Sequence, residues 1–322
     1  MLLGFYAPGS LGTKPEVIYE IKSGSGYEQI TKDLEMRGIV KNGWFFRIYV
    51  LISGNYSKLQ AGKYSISPSM SASQIAQKFA AGDVIKNNIT IIEGWKLEDI
   101  ASYLESKQLA TKKDFLDLTN PSASSGQAKD FTDTYDFLKD KPKNLNLEGY
   151  VFPDTYQFNG SQTLEDLLKG ILGNFDKKLT VDLRKEIANQ HKSIFEIITM
   201  ASIIEKEVQS LVDKKMVSGI LWKRQKVGVP LQVDATINYI TKKSDPGVKI
   251  KDTQIDSPYN TYKYRGLPLG PISNPGMDSI LAAIYPVKSD YWYYLSANGN
   301  GKTIFSRTLE DHAIARAKYL KP

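Results

Sequence analysis

The chain has 322 residues, of which 41% are hydrophobic, and a formal net charge of +7. This length predicts more than one domain with real hydrophobic cores, and the scattered positive charge suits an anionic polymer or a membrane surface without demanding nucleic acid. Because the chain has no cysteine and only two histidines, disulfides, thiol catalysis and thiolate metal sites are excluded, and a histidine-rich metal site or a Ser-His-Asp triad is disfavoured.

The start of the chain, residues 1–15, contains the apolar piece MLLGFY. This piece is too short to span a bilayer or to form a complete signal peptide. Taken alone, it indicates either a cytoplasmic protein or a chain that lacks the beginning of an upstream membrane anchor. We interpret residues 1–15 as the remnant of such an anchor and its linker.

Two stretches of the N-terminal half share one pattern, a short strand, a glycine turn and two amphipathic helices. Equivalent positions lie 70 residues apart, at Ile21/Ile91, Gly24/Gly94, Ile30/Ile100, Leu34/Leu104, Ile39/Leu109 and Phe45/Phe115. A constant offset predicts a duplicated unit, although apolar periodicity alone also produces such matches. Between the copies, residues 62–66 and 72–80 are predicted to form a strand and a helix capped by Ser71 or Ser73.

An aromatic segment, residues 148–158, follows a polar connector at 120–143. Tyr150, Phe152 and Tyr156 surround Pro153 and Asp154, which predicts a rigid loop with exposed ring faces. Two roles stay open for it, a turn that plugs the core and a wall on which sugars stack.

The central feature is an apolar run at 194–209, predicted to be a buried helix after two other helices at 164–179 and 181–188. At about 100° per residue, Glu205 falls within the apolar stripe and Glu207 on the opposite flank. The two acids are either ordinary ion-pairing groups at the end of a core helix, or they include a proton donor with a raised pKa. Ser210 is predicted to cap the next helix, which places Glu207 in the last turn before a break.

The C-terminal part, residues 227–322, is rich in Pro, Gly, Tyr and Asn. Strand-like pieces at 292–296 and 303–305 flank an Asn-Gly-Asn-Gly turn and predict a hairpin, and helices are expected at 278–283 and 309–319. The sequence has no phosphate-binding Gly-Lys-Ser/Thr loop, no dinucleotide fingerprint and no zinc-ligand spacing. We therefore expect no metal and no cofactor.

A single glutamate can cleave a glycosidic bond when a hydroxyl of the substrate is the nucleophile, since it acts first as acid and then as base. Hydrolysis calls for a second carboxylate. Glu205 and Glu207 do not form such a pair because residues two apart on a helix point away from one another. Asp154 and Asp234 are the candidate second acids, although Asp234 equally suits a cap for a helix at 235–239.

Several motifs resemble, in one order, the YceG-like endolytic murein transglycosylases over roughly residues 18–320. The segment from Met200 to Glu207 carries the central match. The other matching pieces are Glu148-Gly149-Tyr150 with Pro153-Asp154-Thr155-Tyr156, Leu231-Gln232 with Asp234, Tyr259-Asn260-Thr261-Tyr262, Gly266-Leu267-Pro268, Gly270-Pro271-Ile272 with Asn274-Pro275-Gly276, and Phe305 with Thr308-Leu309 and His312. Ala235 and Leu269 stand where that family usually has proline, and neither change removes a polar group.

The resemblance implies cleavage of the β-1,4 bond between N-acetylmuramic acid and N-acetylglucosamine inside nascent peptidoglycan strands. The C6 hydroxyl of the sugar then forms a 1,6-anhydro end, with Glu207 as acid and base. The resemblance also implies a single-pass anchor in the cytoplasmic membrane, a catalytic part on the cell-wall side, and peptidoglycan synthases with division or elongation proteins as partners. Candidate substrate-binding residues are Glu205, Gln232, Asp234, Tyr259, Asn260, Thr261, Asp154 and Tyr156.

The predicted fold class is α+β, with small N-terminal α/β modules and a mixed α+β catalytic domain around the buried helix. The predicted domains are a LysM-like module at 16–86, a second repeat-like lobe with its connector at 87–145, and the catalytic domain at 146–322. Residues 18–85 resemble the LysM-like module of certain cell-wall enzymes. Two other functions stay open, a muramidase that uses Asp154 or Asp234 with Glu207, and a scaffold that binds the wall without catalysis.

Overall fold

A computed structural model describes residues 15–122, 129–159, 162–243, 248–297 and 301–320. Within these ranges the chain is a mixed α+β protein, as predicted, with many helices and small two-stranded sheets. The chain divides into two compact units, Met1–Ile89 with Thr155–Thr163, and Thr90–Asp154 with Leu164–Pro322. The predicted anchor remnant lies outside the described residues except for its last position.

The first unit is built on a βααβ arrangement followed by a helix. Its elements are β1 (Val17–Ile21), α1 (Tyr27–Met36), α2 (Gly43–Ile52), β2 (Gly62–Ile66) and α3 (Ala72–Ala81). Strands β1 and β2 are antiparallel, and their alternate side chains, Tyr19 and Tyr64 among them, are buried together with Phe46 and Phe79. Ser71 caps α3 in a capping box with Gln74, so the first of the two predicted caps is the right one.

A second small sheet in the first unit corrects one prediction. Strand β3 (Lys86–Thr90) pairs with β4 (Thr155–Asn159), whereas the sequence predicts a loop throughout the aromatic segment at 148–158. The pairing explains the difference because the partner of β4 lies more than sixty residues earlier in the chain, beyond the reach of any local pattern.

The second unit is mostly helical. Its helices are α4 (Leu97–Ser106), α5 (Lys112–Thr119), α6 (Leu164–Lys178), α7 (Val181–Asn189), α8 (Ile194–Glu207), α9 (Leu211–Lys226), α10 (Asp234–Thr241), α11 (Met277–Ile284) and α12 (Leu309–Tyr319), with short 3-10 turns at Asp136–Leu138 and Asp252–Gln254. Helix α4 begins 70 residues after the start of α1 and ends 70 residues after the end of α1. This agrees with the predicted helical repeat. Among the described residues, no helix is long and apolar enough to cross a bilayer.

Helix α8 is the centre of this unit, with α7, α9, α10 and α11 packed around it. A capping box between Ser193 and Glu196 starts it, and every side chain from Ile197 to Ile204 is buried. The helix ends at Glu207 because Val208 adopts an extended conformation, two residues earlier than predicted. Ser210 then caps α9, as predicted.

The loop at 270–276 is fastened to α8 by polar contacts. The backbone N–H of Ile272 donates to Ser202 Oγ at 3.0 Å, and Ser273 Oγ donates to the Ser202 carbonyl at 3.0 Å. Asn274 is fully buried, and its side chain accepts from the Val151 N–H at 2.9 Å and donates to Glu148 at 2.9 Å. This loop therefore fixes the position of the aromatic segment against the central helix.

The aromatic segment itself plugs the core. The rings of Tyr150 and Phe152 pack on Phe175, with centroid distances of 6.1 and 5.5 Å, and Phe137 completes the cluster. Tyr150 and Phe152 are buried, so of the two roles left open these contacts favour the structural one.

Gly149 permits this packing, and we expect Gly149→Ala to destabilise the protein by about 2–3 kcal/mol. Its φ is +89°, and a Cβ there would lie 2.6 Å from Pro271 Cβ and 2.8 Å from Ile198 Cγ2. Left-handed strain and overpacking each cost on the order of 1–3 kcal/mol. Thermal unfolding with Gly170→Ala as control measures the effect. Gly170 lies within α6, where an added Cβ would meet no other atom within 4 Å, so this change is expected to stabilise the protein slightly. Equal midpoints for the two variants would contradict the close-packing argument.

The C-terminal hairpin forms as predicted. Strands β5 (Tyr293–Ser296) and β6 (Thr303–Ser306) are antiparallel, with Tyr294 opposite Phe305 and Ser296 opposite Thr303. Most of the predicted turn lies outside the described residues. The hairpin contacts the end of α8 through Tyr294 and Ser296.

Candidate active site

The site is centred on Glu207, the last residue of α8. The residue keeps part of its surface exposed, yet its carboxyl end is surrounded by protein atoms. The Tyr294 hydroxyl donates to Glu207 Oε2 at 3.0 Å, and the backbone N–H of Ala235 at the start of α10 also binds the carboxyl. Glu207 is therefore held between the C-terminal hairpin and α10.

The environment of Glu207 brings the pKa of its carboxyl group close to neutral pH. Burial raises the pKa of Glu207 to about 7, and the charge of Asp234 also raises it, whereas the Tyr294 and Ala235 donors lower it. A carboxyl group with this pKa is populated in both protonation states at neutral pH, so it can donate a proton and later accept one.

Asp234 lies beside Glu207 at the first position of α10. The Tyr262 hydroxyl donates to Asp234 Oδ1. The sequence allowed Asp234 to be the N-cap of a helix. In the structure the N-cap residue is Val233, and its side chain makes no capping hydrogen bond. Asp234 thus accepts a hydrogen bond from Tyr262 within the site and is not the N-cap of α10.

Arg224 and Gln232 form the neighbouring polar pair. Arg224 on α9 is 7% exposed, and its Nη2 donates to Gln232 Oε1 at 2.7 Å. Gln232 is exposed and has a φ of +55°, which is unusual for a residue other than glycine. In the described chain, no carboxylate lies within ion-pair distance of Arg224.

Glu205 faces away from this group and is bound by donors of the protein itself. Lys214 Nζ lies 3.1 Å from its Oε1, while the Gly276 N–H and Ser279 Oγ donate to Oε2 at 2.9 and 2.7 Å. Burial raises the pKa of the nearby Glu93, and the charge of Glu205 raises it further. These contacts suit Glu205 to holding α8, α9 and α11 together.

Tyr259, Asn260 and Thr261 lie on the loop that carries Tyr262. Asn260 is buried and donates to two backbone carbonyls and accepts from two N–H groups. Thr261 is buried and accepts from the Val233 N–H at 3.0 Å, and the Tyr259 ring packs on Tyr239 at 4.9 Å. Their contacts support a role in shaping the loop that presents Tyr262 and Asp234.

Asp154 and Tyr156 make contacts of other kinds. Asp154 accepts a hydrogen bond from Asn174 at 3.0 Å and lies 3.6 Å from Lys178 Nζ, both on α6. Tyr156 is buried in β4 of the first unit. Of the two candidate second acids, the structure thus brings only Asp234 to Glu207.

Tyr294 and Arg224 were not singled out by the sequence, and Tyr262 was part of a matched motif without being a candidate site residue. Their only local signals were the predicted hairpin for Tyr294 and the matched segment for Tyr262, and neither pattern indicates contact with α8. Across the described ranges, no group of three or more potential metal-ligating side chains is present.

Comparisons with known proteins place this geometry in context. The family model described as the YceG-like family matches residues 19–318. A Bacillus subtilis (strain 168) protein named endolytic murein transglycosylase is 36% identical over 317 residues, which cover 97% of this chain and 87% of that protein. A protein of the same name from Streptococcus pneumoniae (strain ATCC BAA-255 / R6) is 32% identical, with 95% of this chain and 58% of that protein covered. A crystal structure of a YceG-like protein from Listeria monocytogenes has a TM-score of 0.64 and 34% identity, covering 94% of this chain and 100% of that one.

Proposed function

The chain belongs to the YceG-like family, and we propose that it is an endolytic lytic transglycosylase that cleaves peptidoglycan strands between N-acetylmuramic acid and N-acetylglucosamine. Two relatives of this chain are named endolytic murein transglycosylases, and this supports its assignment as a lyase that acts on peptidoglycan. The observation that carries the residue assignment is the enclosed carboxyl of Glu207, whose pKa is raised to about 7 at the end of a rigid buried helix.

In the proposed reaction Glu207 begins as the protonated acid. It gives its proton to the glycosidic oxygen as the bond between C1 of the muramic acid and that oxygen breaks, so that the departing sugar leaves as an alcohol. The C6 hydroxyl of the muramic acid then bonds to C1, and the Glu207 carboxylate takes the hydroxyl proton. The 1,6-anhydro end forms, the acid is restored and no water is consumed.

Asp234 supplies a negative charge beside the reacting centre. Because the transition state has oxocarbenium character, a carboxylate held by Tyr262 can stabilise the positive charge that develops on the sugar ring. Exposed Gln232 is a candidate for hydrogen bonds to the glycan, whereas Asn260 and Thr261 act through the shape of the loop. This division of roles follows from which side chains still have free surface.

The proximity of Asp234 also favours one second candidate, a muramidase. Two carboxyl groups near one another can activate water or form a covalent intermediate. In that case Asp234 would act as base or nucleophile and the product would carry a reducing end. The two reactions differ by one water molecule in the product.

We expect digestion of peptidoglycan in H₂¹⁸O to give anhydro-ended glycans without ¹⁸O at the new ends. The proposed reaction uses only atoms of the substrate, so mass spectrometry should find products one water lighter than the reducing-end glycans. Reducing ends labelled with ¹⁸O would establish hydrolysis instead. Binding of the full chain to peptidoglycan without either product would favour the non-catalytic scaffold.

The cellular setting is proposed from the same family membership. The enzyme would act on the cell-wall side of the cytoplasmic membrane, on nascent strands delivered by peptidoglycan synthases and alongside division or elongation proteins. The βααβ part of the first unit supports a LysM-like module that binds the glycan. The net positive charge of +7 suits a polyanionic wall and an acidic membrane surface.

A further inference from the structure

The C-terminal hairpin contacts the last residue of α8 at two points. Tyr294 donates to the Glu207 side chain at 3.0 Å, and Ser296 Oγ donates to the Glu207 backbone carbonyl at 3.2 Å. The two residues lie two apart on β5, so their side chains share one face of the strand. The last carbonyls of a helix have no partner within it, and the hairpin supplies one here. It therefore fixes both the backbone and the carboxyl group of the same residue.

The hairpin is itself anchored to the helix that follows α8. Thr303, which lies opposite Ser296 in β6, donates through Oγ1 to Asp213 Oδ2 on α9 at 2.9 Å. The hairpin thus bridges the break between α8 and α9. The Tyr294 hydroxyl is held at a fixed place relative to Glu207, as precise positioning of a catalytic group requires.

We propose that Tyr294 is a positioning residue for Glu207, which holds Oε2 so that Oε1 is the oxygen that delivers the proton to the substrate. The inference rests on the proposed function, in which Glu207 is the acid. A carboxyl oxygen that accepts a hydrogen bond offers a lone pair, so the bond from Tyr294 to Oε2 favours the form of the neutral acid that carries its proton on Oε1. Once that proton has left, the bond from the phenol becomes charge-assisted and stronger.

The surroundings keep Tyr294 in the donor form. Burial raises the pKa of Tyr294 well above its ordinary value, and the charge of Glu207 and its hydrogen bond add to this, while Arg224 opposes. The titratable and charged groups that face the pair are Asp234 from α10, Tyr262 from the loop, Arg224 from α9 and, beside Tyr262, Arg316 from α12. Because the phenol stays protonated over the working range, only Glu207 changes charge in this pair.

We expect Tyr294→Phe to move the alkaline limb of the pH–rate profile to higher pH by about 0.5–1 unit and to lower kcat about tenfold with little change in KM. In the unmodified enzyme, activity should fall as the pH rises through about 7 because Glu207 loses the proton it must donate. Removing a donor that lowers the pKa of Glu207 raises that pKa, so the fall occurs later. Tyr291→Phe, whose ring packs on Phe305 in the same hairpin at 5.6 Å, is the matched control and should leave both the limb and kcat unchanged.

Carbon-13 NMR of the glutamate carboxyl groups tests the same inference without substrate. The Glu207 signal is identified by its loss in Glu207→Gln, and its titration midpoint should rise in Tyr294→Phe but not in Tyr291→Phe. An unchanged midpoint together with an unchanged alkaline limb would overturn the role of Tyr294 and leave the hairpin a purely structural element. If the unmodified protein showed no turnover, only the proposed function would be overturned. The NMR titration of Glu207 needs neither substrate nor turnover, so it would still test the contact with Tyr294.

Discussion

Replacement of Glu207 by glutamine is expected to lower the release of anhydro-ended glycans by about 10²–10⁴-fold, the usual contribution of a general acid and base. The amide keeps the size of the side chain and can still accept the hydrogen bond from Tyr294. It has no acidic proton for the leaving oxygen and cannot take the C6 hydroxyl proton, so both steps fail together. The residual rate should show no alkaline limb near pH 7.

The informative comparison is Glu205→Gln, two residues earlier on the same helix. Glu205 is bound by Lys214, Gly276 and Ser279, so its amide variant should lower stability while the rate per folded molecule falls far less. Product release measured by mass spectrometry, with folded fractions from circular dichroism, separates the two effects. Full activity in Glu207→Gln would refute the assignment, and loss confined to Glu205→Gln would move it to Glu205.

The elements of this fold that the sequence predicted are those defined by nearby residues. Helix α8 follows from an apolar run without glycine or proline, and α3 and α9 begin at serines that cap them. The separation of Glu205 from Glu207 also follows from helical angles alone. Local hydrogen bonds and side-chain periodicity determine all of these features.

The contacts that complete the site are long-range and could not be predicted. Tyr294 and Glu207 lie 87 residues apart, and β4 pairs with a strand that lies before α4. Hairpin patterns give a strand's register with its partner but not the helix on which it docks. Burial of Asn260 and Thr261 depends likewise on Val233 and the carbonyls of a neighbouring turn, which no spacing reveals.

Replacement of Lys214 by methionine is expected to lower the free energy of unfolding by about 3–5 kcal/mol. Lys214 and Glu205 are 4% and 9% exposed and lie 3.1 Å apart. Removing one partner of a buried pair leaves the other charge uncompensated. Lys113, whose side chain is 75% exposed in its pair with Asp117, is the control, and Lys113→Met should leave the thermal midpoint unchanged.

The pH dependence of the Lys214→Met variant identifies the cause of its lost stability. Burial raises the pKa of Glu93, the charge of Glu205 raises it further and Lys214 lowers it, so without the lysine Glu93 binds a proton more readily when the protein is folded. A folded-state pKa above the unfolded value gives stability that is present at low pH and lost as the pH rises. The deficit relative to the unmodified protein should therefore be larger at pH 8 than at pH 5, and the double variant Lys214→Met with Glu205→Gln should recover part of it. A deficit that does not vary with pH and is not relieved in the double variant would show that lost packing of the lysine stem, rather than an unpaired carboxylate, causes the effect.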